Sequence, residues 1–194
     1  MSNNRKKAIA ALIALICLLA FVLSTLSYFT AEQRTRNYIT TGEVAIEVHE
    51  YADDGMTQPF PAEGVSGVMP GDSVTKIVVV ENTGSSPAWV RIGVDKSITL
   101  AEGVEGTPDT SLILLDLDTS GWTEQDGWYY YNTALEPGQT TPPLFRHVQF
   151  DASMDSLYRN SKAEVTVTAQ AVQTANNDGP AQAALGWPDS TEGE

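Results

Sequence analysis

Two histidines, His49 and His147, and one cysteine, Cys17, are the only imidazole and thiol groups in a chain of 194 residues. Zinc-dependent hydrolysis needs two histidines one helical turn apart with a glutamate as base, and no His-Glu-x-x-His run is present. Each histidine instead falls in a segment with strand periodicity, so both read as surface or edge side chains. Nucleophilic catalysis lacks a Gly-x-Ser-x-Gly elbow, and no phosphate-binding or dinucleotide fingerprint occurs. Asp116-Leu117-Asp118-Thr119-Ser120-Gly121 places oxygens at the first, third and fifth positions of a calcium loop and glycine at the sixth. The twelfth position, where a bidentate acid belongs, is Gly127, with Glu124 and Asp126 nearby. An aspartate-rich turn at a strand exit accounts better for the same residues. No catalytic residue, cofactor or metal is therefore expected, and the chain does not read as an enzyme.

The aromatic residues suggest contacts rather than reactions. Trp89 and Arg91 are two residues apart, hence on one face of a strand. Exposed, the pair could be a cation–π contact, a sugar platform or an assembly contact; the alternative is that this face packs the second sheet. In Trp128-Tyr129-Tyr130-Tyr131, alternation puts Trp128 and Tyr130 on one side and Tyr129 and Tyr131 on the other. One pair belongs to the core and the opposite pair is an interface candidate.

The elements that would position these residues are strands. Val44, Ile46 and Val48 alternate with Glu43, Glu47 and His49, the pattern of a half-buried strand. A polar loop is expected over 52–71. Residues 74–80 are β-branched on both faces, Val74, Val78 and Val80 against Thr75, Ile77 and Val79, and suit a central strand. Glu81-Asn82-Thr83-Gly84 signals a turn. Ala88, Val90, Ile92 and Val94 then share one face. Residues 112–117 fit a strand or a helix fragment, 144–150 a strand, and 152–160 a helical turn or two. Ala163, Val165, Val167, Ala169 and Ala171 alternate with polar residues in a long last strand. Some seven strands divided by turns predict an all-β, antiparallel β-sandwich over 43–173. Beyond residue 174, Asn, Gly, Pro, Ala and acidic residues without periodicity predict a disordered acidic tail, 174–194.

The first 27 residues are of another kind. Arg5-Lys6-Lys7 precedes an apolar run from Ala8 to Leu23 and a small, polar exit at Ser24-Thr25-Leu26-Ser27. This is an export signal, with cleavage expected between Ser27 and Tyr28. Retention as a hydrophobic anchor helix is the alternative, because the run lies between the lengths of a signal core and a membrane span. Either way, the remaining chain is expected outside the cytoplasm, secreted or at the cell surface, and touching the membrane only through this segment. About 165 residues remain, enough for one domain that buries about two-thirds of its surface. They carry 8 basic and 25 acidic residues, a net charge of −17, which excludes nucleic acid as a partner. With Cys17 inside the signal, the exported part has no disulfide.

Several segments in order resemble one family. The signal running into Ser27-Tyr28-Phe29-Thr30, then Gly42-Glu43-Val44-Ala45-Ile46, resembles exported proteins handled by the SipW-type signal peptidase. Pro70-Gly71-Asp72-Ser73-Val74-Thr75-Lys76, followed by Glu81-Asn82-Thr83-Gly84-Ser85, is similar to a segment of the TasA/camelysin family. Tyr158-Arg159-Asn160-Ser161 with Ala169-Gln170-Ala171-Val172-Gln173 resembles that family's closing strand. Trp128–Tyr131 with Leu135-Glu136-Pro137-Gly138 and Pro143-Leu144-Phe145 is similar to its alternate signal-mediated exported members. Tyr28 stands where relatives have a small residue. The resemblance implies a jelly-roll sandwich, secreted or surface-held, processed by a SipW-type peptidase and, in several members, a subunit of biofilm matrix fibres.

These expectations combine into a structural protein that associates with itself or with related matrix proteins. Residues 28–42 form an extended, proline-free segment carrying Tyr28, Phe29, Tyr38 and Ile39, a candidate donor strand freed by cleavage. Trp89 and Arg91 are further candidate contacts. A monomeric adhesion or ligand-binding module is the alternative.

Overall fold

The computed structural model describes residues 29–32, 35–37 and 44–188. The expected signal or anchor over 1–27 and the expected cleavage position between Ser27 and Tyr28 lie outside the described residues, as do the candidate contacts Tyr28, Tyr38 and Ile39. Among the described residues no helix is long and apolar enough to cross a membrane. The described residues are mostly β, with antiparallel sheets and, among them, no closed barrel. The strands are β1 (Phe29–Glu32), β2 (Thr35–Asn37), β3 (Ile46–Tyr51), β4 (Val65–Val68), β5 (Ser73–Thr75) and β6 (Ile77–Asn82). They continue with β7 (Ala88–Thr99), β8 (Ile113–Leu115), β9 (Trp122–Gln125), β10 (Trp128–Tyr131), β11 (His147–Phe150) and β12 (Lys162–Gln173). The largest sheet runs β4-β1-β12-β7-β10-β9, with β2 also on β12, while β5-β11-β8 and β3-β6 form smaller sheets.

Alternation decides which faces are buried. On β12, Ala163, Val165, Val167, Ala169 and Ala171 all point into the core. On β7, Ala88, Val90 and Ile92 do the same. The two strands pair antiparallel from Lys162↔Thr99 to Gln173↔Ala88 without a break. Their apolar stripes share one core with Val78 and Val80 of β6, Val148 and Phe150 of β11, and Leu135, Leu144 and Phe145 between strands. Burying one such aliphatic side chain contributes about 1.5–3 kcal/mol.

The segment expected as one strand over 74–80 is two. β5 pairs with β11, β6 pairs with β3, and the chain changes sheet at Lys76. Covered faces on both sides are nonetheless found on β6, where Ile77, Val78, Val79 and Val80 are all buried. The turn after β6 is fixed by buried Asn82, whose side-chain amide donates to the carbonyls of Ser86 and Leu135. Its side-chain oxygen accepts from Gly84 N. Residues 110–115 combine both expected alternatives, a 3-10 turn at Thr110–Leu112 leading into β8. The 52–71 region is not all loop, because β4 lies within it.

The expectation of a disordered tail fails for residues 174–188. They fold back over the outer face of β7 and β10, with a 3-10 turn at Ala181–Ala183. Ala181 and Ala184 are buried. Asn177 holds the fold-back: its side-chain amide donates to Gln173 O and its side-chain oxygen accepts from Leu185 N. The segment lacks periodicity because it packs through a few side chains rather than through a repeating face.

Candidate functional site

One edge of β12 is taken by β7. The opposite edge receives the beginning of the described chain. β1 lies parallel to β12 with Thr30, Ala31 and Glu32 opposite Lys162, Ala163 and Glu164. β2 resumes alongside, with Thr35, Arg36 and Asn37 opposite Val167, Thr168 and Ala169. Glu32 faces Glu164, and three residues later Thr35 faces Val167, so the register is unchanged across the interruption. β1 and β2 are therefore one added strand in two pieces. Its parallel direction departs from the antiparallel pairing expected throughout.

β1 has a second neighbour, β4, paired antiparallel with a register shift between Phe29↔Val68 and Ala31↔Val65. Gly67 in β4 has φ 82, a left-handed conformation that a side chain would strain, and it sits where the register slips. In the sheet β4 meets only β1. The leading strand thus fills a slot whose walls are the backbones of β12 and β4. Removing it would expose unpaired N–H and C=O groups on both walls. Of the expected donor residues, Phe29 lies in β1 and faces Val68 in the ladder.

Trp89 and Arg91 share the outer face of the same sheet, but the rings around the Arg91 guanidinium are Trp128, Tyr130 and Trp187 rather than Trp89. The Arg91 guanidinium lies 4.1 Å from the Trp128 ring and 4.6 Å from the Trp187 ring. Nε and Nη2 both donate to Gln170 Oε1, at 2.8 and 2.6 Å. Nη1 donates to the Tyr130 hydroxyl at 3.2 Å, and Nη2 also donates to the Pro188 carbonyl at 3.1 Å. Arg91 is consequently only 9% exposed. The Trp89 indole donates to Asn177 O at 3.4 Å. Arg91 is thus covered by the trailing segment of its own chain, which corrects its reading as a surface contact, whereas Trp89 stays half-buried. Gly93 permits the arrangement, since a Cβ there would stand 3.1 Å from the Trp128 ring.

The sequence pointed to Trp89 and Arg91 but not to Trp187, Gln170 or Asn177. The Trp187-Pro188 pair was the available signal. On the other side of β10, Tyr129 and Tyr131 pack against the core, and Tyr131 lies 5.3 Å from Trp122. Both faces of β10 are therefore covered.

The two histidines have separate partners. His49 Nε2 is 2.8 Å from Glu81 Oε2, across the β3–β6 pair. His147 Nδ1 is 2.7 Å from Asp116 Oδ2. Asp116 Oδ1 also accepts the backbone N–H groups of Arg146 and His147. Partial burial pushes the Asp116 carboxyl up, but these hydrogen bonds outweigh it and hold the group below the usual carboxylate range. Asp118 is lowered by the Ser120 hydroxyl and N–H, which it accepts at 2.6 and 2.9 Å. Glu124 accepts from Gly127 N at 3.0 Å. Asp118 and Glu124 thus close turns, whereas Asp116 ties its segment to the start of β11. Among the described residues no group of three or more His, Cys, Asp or Glu is placed to hold a metal ion.

No protein family, curated protein or solved structure matches the chain. The slot between β12 and β4 is the feature whose chemistry points furthest, and that chemistry is backbone pairing.

Proposed function

We propose that this chain is a non-catalytic structural subunit of the TasA/camelysin kind, exported to the cell exterior and assembled into matrix fibres by strand addition. On this reading the body is a β-sandwich of jelly-roll type, and residues 1–27 are a signal removed by a SipW-type peptidase or kept as an anchor. Partners are further copies of the chain or related matrix proteins. The observation that carries the reading is the slot. Its occupant is an amino-terminal segment in unbroken register, and that segment becomes a free end once the signal is cut. A segment that pairs with β12 and β4 of its own chain presents the same hydrogen-bonding groups to those strands of a neighbour. Exchange between copies would then bury no surface that the closed form leaves wet, and preference for the polymer would come from geometry and concentration.

Deletion of residues 28–37 from the exported protein tests this. Size-exclusion chromatography and negative-stain imaging are expected to show polymers with the segment and none without it. Unchanged polymer formation after the deletion would refute the reading. A second reading, a monomeric surface adhesion or ligand-binding module, is favoured by the same slot being filled within one chain. Compact monomers at every concentration, with the segment intact, would establish it.

A further inference from the structure

Glu50 on β3 and Lys76 at the β5–β6 junction form a buried pair, with side chains only 3% and 4% exposed. Glu50 is opposite Val78 in the β3–β6 ladder, so Lys76 is its diagonal neighbour on the same face. Nζ stands 3.3 Å from Oε1. Nζ also donates to the carbonyl of Val165 on β12 at 3.2 Å, and the Phe60 ring covers it at 5.1 Å. An amine and a carboxyl are thus held in direct contact, shielded from water, so that proximity lowers the barrier to joining them.

We propose that Lys76 and Glu50 become joined by an isopeptide bond between Nζ and Cδ, a covalent crosslink inside a body that contains no cysteine. The reaction needs no external reagent. One proton passes from the Lys76 ammonium to the Glu50 carboxylate, giving a neutral amine and a neutral acid. The Nζ lone pair attacks Cδ and the Nζ–Cδ bond forms. A second Nζ proton moves to the hydroxyl, the Cδ–O bond breaks, and water leaves. The third proton remains as the amide N–H.

The surroundings favour each step. Burial lowers the amine's pKa, with the charges of Glu50 and Glu164 opposing, so the nucleophilic form is more accessible than on a surface lysine. In a dry site the neutral acid and amine escape the desolvation cost of the separate ions. The Val165 carbonyl accepts one N–H and fixes the amine's orientation. Exclusion of solvent also disfavours hydrolysis of the product.

The bond would have a mechanical consequence. β3 is the first strand of the body after the leading segment, and its ladder partner is β6. Tension applied through residues 44–46 would unzip that pair from Ile46↔Asn82 toward Tyr51↔Ile77. A Glu50–Lys76 bond lies at the far end and would stop the separation. The crosslink itself is independent of whether the chain polymerises.

Tryptic mapping of the denatured full chain tests the proposal directly. No Lys or Arg lies between residues 37 and 75, and the next basic residue after Lys76 is Arg91. Acylated Lys76 resists trypsin, so the crosslinked protein should yield a single fragment 37–91, lighter by one water. Glu50→Ala should instead give fragments 37–76 and 77–91 at their unmodified masses. Because the digest reads covalent structure, the wild-type map decides even if a variant folds poorly. Ordinary 37–76 and 77–91 fragments from the folded wild-type protein would overturn the proposal. So would a water-deficient 37–91 fragment that persists in Glu50→Ala, since the acceptor would then be another residue.

Discussion

The two edges of β12 differ in kind. Toward β7 the ladder is antiparallel and continuous along all of β12, and both strands send apolar side chains into the same core. Toward the leading segment it is parallel and split into two runs of three residues. Parallel pairing is slightly weaker per residue, and an interrupted ladder adds little cooperativity. The first edge builds the body, whereas the second, on the proposed reading, is the one a neighbouring copy would share. That difference separates what folds the protein from what the account assigns to assembly.

Substitutions on either side of this divide should behave differently. The largest effect is expected from Val167→Asp, which puts a carboxylate at a fully buried position on the inner face of β12. A loss of about 3–5 kcal/mol is expected, enough to unfold a marginal domain, and urea denaturation checks it. Ala31→Pro removes a ladder N–H from β1 and should abolish polymers while shifting the body's melting temperature little. Size-exclusion chromatography and thermal melting together distinguish these two variants. Equal destabilisation by both would erase the contrast between the edges.

A third terminal contact sharpens the comparison. The trailing segment is held on the outer face chiefly by side chains centred on Arg91. Arg91→Ala should cost about 2 kcal/mol by leaving Gln170 and Tyr130 without their donor. Trp187 fluorescence should shift to the red and proteolysis after residue 174 should accelerate. Arg91→Lys should rescue only part of this, because an ammonium lacks the planar fork.

The smallest effect concerns pH. The Asp116 carboxyl is held below its ordinary value, so its stabilising contribution is present above the unfolded-state pKa of about 4 and is lost as pH falls through the lower folded-state value. Asp116→Asn should flatten the acid limb of the stability profile and leave the neutral region lower by a small amount. A pH series of thermal melts reads this.

The strands that build the core were legible because alternation is local. Ala163 to Ala171 and Ala88 to Val94 announce their inner faces without reference to any partner. Turn chemistry was equally plain at Glu81-Asn82-Thr83-Gly84. The sheet change at Lys76 was not, since Val74 to Val80 is β-branched apart from Lys76 itself and contains no glycine or proline to mark a break. β4 was hidden inside a polar stretch because it is short and takes its register from β1. Pairing of residues 29–37 with β12 joins segments from opposite ends of the chain, and no periodicity within either encodes it. The 174–188 fold-back escaped for a different reason. Its order comes from Asn177, Ala181, Ala184 and Trp187 meeting particular sites on β7, β10 and the end of β12, which composition does not reveal.

The account is tested most directly by cysteines placed at Thr30 and Lys162, which face each other in the parallel ladder, in a chain also carrying Cys17→Ala. Oxidation of assembled material should produce a ladder of disulfide-linked multimers on a non-reducing gel, because the leading strand of one copy lies against β12 of the next. Polymers that yield only internally bridged monomers would contradict the claim, placing the leading strand permanently in its own chain.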